Sequence, residues 1–98
     1  MNDINEITGF LVSKKDEIRD KYKVKEIGVF GSYARNGQTP LSDLDVLVEF
    51  YDGGETFDNY MDLKILMEDA FNIKVDLVVK NSLREEIKSY ILAEVIYA

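Results

Sequence analysis

The sequence predicts an α/β (α+β) fold: a small mixed sheet of about three strands covered by helices. Helix-period apolar stripes alternate with three short β-rich runs, EIGVF, LDVLVEF and KVDLVV. Capping and turn residues fall between those runs at the right spacing. The chain has 98 residues and is 46% hydrophobic, enough for one small core, and the expectation is a single domain over residues 1–98.

Residues 3–22 read as one helix. Asp3 and Glu6 have capping-box spacing, and Ile4, Ile7, Leu11 and Ile18 share a face. EIGVF, residues 26–30, is a strand running into Gly31-Ser32. Residues 33–42 form a short helical turn and a loop punctuated by Gly37 and Pro40. LDVLVEF, 44–50, is the second strand, and Asp52-Gly53-Gly54 is a turn. Thr56 caps a helix whose inward stripe is Phe57, Tyr60, Leu63, Leu66, Met67 and Ala70, and Asn72 stops it. KVDLVV, 74–79, is the third strand. Ser82 and Glu85 form a second capping box, opening a last helix with Leu83, Ile87, Ile91 and Val95 inward. Its end, SYILAEVIYA, is apolar nearly all round, so either part of it stays exposed as an interface or the whole helix packs on its own sheet.

Histidine and cysteine are both absent. That excludes disulfides, imidazole acid–base chemistry and Ser-His or Cys-His nucleophiles, and it argues against zinc. It also fits a reducing cytoplasm. No apolar run is long enough to span a bilayer. With 12 basic and 19 acidic residues the net charge is −7, a poor basis for direct binding to a nucleic-acid backbone. Carboxylates, hydroxyls and a hard metal are the chemistry that remains.

The aspartates carry the strongest signal. Strand side chains alternate, so Asp43 and Asp45 share one face while Leu44, Val46 and Val48 point to the other. Two ionised carboxylates at that spacing repel unless one protonates or a cation lies between them. Mg²⁺, an oxygen-seeking ion that keeps room for substrate phosphates, resolves the repulsion. Asp76 interrupts an apolar strand in the same way, and if strands 44–50 and 74–79 are neighbours it completes a cluster of three. The plainer alternative is that Asp43 caps a turn, Asp45 is solvated at a strand end and Asp76 pairs with a lysine. Gly31 lets backbone approach a ligand closely, and Ser32 opens a turn whose free amides favour phosphate oxygens.

Gly31-Ser32, ten intervening residues and then Asp43-Leu44-Asp45 resembles the two-part signature of the polymerase-β-like nucleotidyltransferases. Asp76 falls where that family carries a third carboxylate on a later strand. The short chain is similar to the minimal nucleotidyltransferases (MNT), the antitoxin halves of HEPN/MNT toxin–antitoxin pairs. The resemblance implies the polymerase-β-like fold and nucleotidyl transfer with two Mg²⁺ ions. Asp43, Asp45 and Asp76 would be the catalytic residues and metal ligands, with Asp76 helping to activate the acceptor hydroxyl. Gly31 and Ser32 would seat the phosphates of ATP, and Arg35 and Ser42 are further candidates for nucleotide contact. Relatives often carry a basic residue where this chain has Tyr33, so no phosphate contact is assigned there. Lys80 and Arg84 are candidates for positive charge near the site, against a plain surface role.

In the minimal family the reaction implied is transfer of AMP to a tyrosine hydroxyl of the HEPN partner, a ribonuclease toxin, within a hetero-oligomeric complex. The C-terminal helix is the expected contact. Two other readings stand beside this one: an antitoxin that neutralises its toxin by binding alone, and a nucleotidyltransferase for a small acceptor such as an aminoglycoside. The intact set of three aspartates argues against the first. The lack of chain for a second domain argues against the other.

Overall fold

The computed structural model describes residues 2–98. Its sheet has four strands in the order β3-β2-β1-β4. The pairings are antiparallel between β1 (Val24–Phe30) and β2 (Leu44–Phe50), parallel between β2 and β3 (Val75–Val79), and antiparallel between β1 and a two-residue β4 (Ile96–Tyr97). The mixed sheet agrees with the sequence expectation except in β4, which adds a fourth strand.

The N-terminal segment forms two helices, α1 (Ile4–Ser13) and α2 (Lys15–Tyr22), where one was expected. Asp3 caps α1 as its spacing predicts, accepting from the Glu6 amide at 2.8 Å. The break falls at Lys14, with φ −103° and ψ 11°. Lys14 and Lys15 leave the midpoint of the segment without an apolar anchor, and the Ser13 hydroxyl donates back to the Phe10 carbonyl at 2.7 Å, which bends a helix. Asp16 and Glu17 then suit the positive end of α2. Ile7, Leu11 and Ile18 are buried despite the break.

β1 begins two residues earlier than its apolar run suggests, and its pairing with β2 shifts register between Val24 and Glu26. The extra residue lets Val24 join Ile27 and Val29 in the core although strict alternation would separate them. β1 runs into a single helical turn, α3 (Gly31–Ala34), which buries Tyr33. The crossover from β2 to β3 is α4 (Phe57–Phe71). Thr56 caps it, accepting from the Asn59 amide at 3.1 Å, and Asn72 ends it in the left-handed region at φ 54°. Its buried residues are Leu63, Met67 and Phe71. Phe57 and Ala70 of the expected stripe are exposed, the former because it occupies the first turn, beyond the sheet's cover.

Two side chains of α4 seal the outer edge of the sheet. Glu68 accepts from the Val75 amide at 2.9 Å, and the Tyr60 hydroxyl donates to the Leu77 carbonyl at 2.5 Å. These are groups that an edge strand would otherwise present to solvent.

The last helix does not start from a Ser82–Glu85 capping box. Lys80–Ser82 form a 3₁₀ turn, with the Ser82 hydroxyl donating to the Val79 carbonyl at 2.7 Å. α5 runs from Glu85 to Glu94 with Arg84 at its N-cap and no side-chain cap. It stops because Val95 turns extended, φ −64° and ψ 136°. The β-branched Ile96 and aromatic Tyr97 that follow form β4 against Gly28 and Val29. Gly28 permits this approach: a Cβ there would lie 2.7 Å from Val95 Cγ2 and 3.0 Å from the Ile96 carbonyl oxygen.

The core lies between one sheet face and helices α1, α2 and α4. Leu44, Val46, Val48 and Val75 are fully buried there. The opposite face carries Asp45 and Asp76, with Leu47 buried beside them. Among the described residues no helix is long and apolar enough to cross a membrane.

Candidate active site

The site forms where β1 ends and β2 and β3 begin. Parallel pairing brings Asp45 opposite Asp76 in register, on the face turned from the core. The Leu44 amide donates to the Lys74 carbonyl at 2.9 Å and fixes that register at its first step. Asp43 precedes the strand and is exposed, Asp45 is half-buried, and Asp76 is exposed. The three predicted carboxylates therefore gather at one end of the sheet.

Gly31 sits against them. Its φ is +74°, and a Cβ at this position would overlap the Asp45 carboxylate. Glycine is required twice over, for its backbone conformation and for the closeness of that carboxylate.

Burial pushes the Asp45 carboxyl above its ordinary value, and the charges of Asp76, Asp43 and Glu94 push the same way while Arg35 partly offsets them. A carboxyl so placed is relieved either by a proton or by a nearby cation. Oxygen-only donors on two adjacent strands suit a hard ion such as Mg²⁺. Among the described residues no three acidic groups are closed into a metal-holding cluster.

The two remaining nucleotide-contact candidates part company. Arg35 projects from the end of α3 and pairs with Glu94, its Nη1 donating to Oε2 at 2.9 Å. Ser42 turns into its own loop, accepting from the Thr39 amide at 2.9 Å and lying 3.3 Å from the Thr39 hydroxyl. Lys80 lies at the far end of β3, 3.8 Å from Glu49, which removes it from the site. Tyr33 belongs to the core.

Glu94 was not legible as a site residue. Its Oε1 accepts from the Gly31 amide at 2.8 Å across most of the chain length. That bond, and then the Arg35 guanidinium, hold its carboxyl below the ordinary value. One signal could have found it: Glu94 is the only charged residue in SYILAEVIYA, as Asp76 is the only one in VDLVV.

Comparison with known proteins shows the family of the chain. Residues 12–98 match the nucleotidyltransferase domain family. A candidate protein adenylyltransferase of Methanocaldococcus jannaschii is 44% identical over 98 residues, covering 99% of each chain. The protein adenylyltransferase MntA of Thermococcus cleftensis is 38% identical over 94 residues, covering 96% of this chain and 94% of its own. A solved structure of a candidate minimal nucleotidyltransferase superposes with a TM-score of 0.76 at 28% identity, over 97% of this chain and 95% of that one. The fold is also that of a chain in the complex of a tri-AMPylated Shewanella oneidensis HEPN toxin with its MNT antitoxin. There the TM-score is 0.67 at 18% identity, over 95% of this chain and 69% of that one. With the two-part glycine–aspartate motif, the third strand aspartate and the matched fold in place, the chain belongs to the nucleotidyltransferase domain family and has its minimal fold.

Proposed function

We propose that this protein is a Mg²⁺-dependent protein adenylyltransferase acting as the antitoxin of a HEPN ribonuclease toxin. It would transfer AMP from ATP to a tyrosine hydroxyl of that toxin. The observation that carries the reading is the in-register pair Asp45–Asp76, with Asp43 two residues ahead and the Gly31 backbone against it. The names of the relatives support the reaction class, and the toxin complex of a protein with the same fold supports the partner.

In this reading Asp43, Asp45 and Asp76 hold the metal, and Gly31 and Ser32 seat the phosphates. A bound Mg²⁺ would supply charge neutralisation to the triphosphate and the reacting oxygens. The tyrosine oxygen forms a bond to the α-phosphorus, the α–β phosphoryl bond breaks, and pyrophosphate departs. Asp76, the more exposed of the strand pair, takes the hydroxyl proton. Arg35 stands beside the Gly31 backbone, within reach of phosphate charge. The exposed Ile87 and Tyr90 of α5 offer the toxin an apolar contact close to the site.

The test uses ATP labelled at the α-phosphate, Mg²⁺, this protein and its cognate toxin. Label is expected on the toxin, and the Asp43→Asn, Asp45→Asn double variant is expected to reduce its rate by about a thousandfold or more. A stable complex that silences the toxin without labelling it would overturn the enzymatic reading.

A further inference from the structure

The Gly31 amide and the Arg35 guanidinium are two donors near the aspartate cluster, and a single carboxylate spans both. Glu94 sets Oε1 on the Gly31 amide at 2.8 Å and Oε2 on Arg35 Nη1 at 2.9 Å. An anion with two oxygens across a backbone N–H and a guanidinium is how a phosphate group would be held there. Glu94 also adds negative charge next to Asp45, so it and a triphosphate cannot share the seat.

The segment that carries Glu94 is lightly attached. α5 buries none of its residues. Beyond it, β4 pairs through two residues, and the Ala98 amide donates to the Ile27 carbonyl at 3.0 Å. Glu94 itself is the last helical residue, next to the point where the backbone turns extended.

We propose that Glu94 is a built-in competitor for the nucleotide's phosphate seat. Its carboxylate closes the Gly31 amide and Arg35, and it withdraws, loosening the α5–β4 segment, when ATP binds. This rests on the nucleotide-site reading above and adds its regulation. The carboxylate holds the resting site closed, and displacing it frees Arg35 for phosphate.

The experiment measures ATP affinity in the presence of Mg²⁺ for the wild type, Glu94→Gln and Glu94→Ala. It also follows amide hydrogen exchange of residues 95–98 in the wild type with and without ATP. The alanine variant, which frees both donors, is expected to bind about tenfold more tightly. The glutamine variant, which loses the charge but keeps an acceptor, falls between. ATP is expected to speed exchange of the Ala98 amide in the wild type, a readout that needs no variant to fold. Affinity unchanged or weakened in both variants would make Glu94 a positioning residue for Arg35 and overturn the proposal, as would slower Ala98 exchange with ATP. ATP binding with no gain in the variants overturns this proposal alone, whereas absence of ATP binding in all three proteins takes down the nucleotide-site reading with it.

Discussion

The two faces of β2 and β3 are made from alternate residues of the same strands, yet they are built to opposite rules. On one face Leu44, Val46, Val48, Val75 and Leu77 are at most 3% exposed and pack under three helices. On the other, Asp45 and Asp76 stand abreast with like charge, and the covering segment contributes a carboxylate of its own. The first face gains stability from burial. The second sets like charges side by side, where the proposed function would place a cation and a phosphate. A strand period of two allows this in a short chain, because each functional residue is held by a core residue on either side of it.

The sharpest way to break the comparison is to damage the core face beside the site. Leu77→Ala neighbours Asp76 in sequence but points into the core, and it is expected to cost about 2–5 kcal/mol. Thermal melting should then drop by more than about 10 °C. A change of only a degree or two would mean that the two faces do not divide the labour in this way.

A smaller effect of opposite sign comes from the other face. Asp45→Asn removes a charge that burial and its acidic neighbours disfavour, and melting at neutral pH is expected to rise by roughly 2–5 °C. The pH dependence has a definite sign. The folded-state value of Asp45 is raised, so its contribution to stability is full below the unfolded carboxylate value. It is lost as pH rises from there through the folded value. The advantage of the variant should therefore grow across that window and level off above it. An advantage that shrinks with rising pH would contradict the assigned cause.

Smallest of all is the effect on the lone chain of Tyr90→Ser. Tyr90 is 77% exposed, and stability is expected to stay within about 0.5 kcal/mol of the wild type. Binding to the toxin should weaken in a pull-down or titration. A destabilised monomer with full toxin binding would remove α5 as the docking contact.

Much of the site was readable because it is written in local patterns. β2 has the expected bounds, and Thr56 and Asn72 bracket α4 as predicted. The neighbouring of β2 and β3 that would bring Asp76 beside Asp45 is observed, while Asp76 itself is exposed and faces a like charge. What escaped depends on contacts between distant parts of the chain. Val95-Ile96-Tyr97 reads locally as more of an apolar helix, and only the open backbone at Gly28 makes it a strand. Glu94 reaches Gly31 across the length of the fold, and no spacing rule relates them. The break at Lys14 was partly visible in the two adjacent lysines, but Leu11 and Ile18 keep the register of a continuous helix and so concealed it.

The short β4 has a consequence for how the chain folds. To pair with β1 the tail must close a loop that runs from Ile27 to Ala98, and the entropy of that closure is recovered through only a few ladder bonds. The β2–α4–β3 crossover closes a far shorter loop and gains a long parallel ladder together with two side-chain ties. The β1–β2 pair closes a loop shorter still, so both of these pairings can form before the tail docks. The tail is the last strand to join and the one that can leave while the rest stays folded.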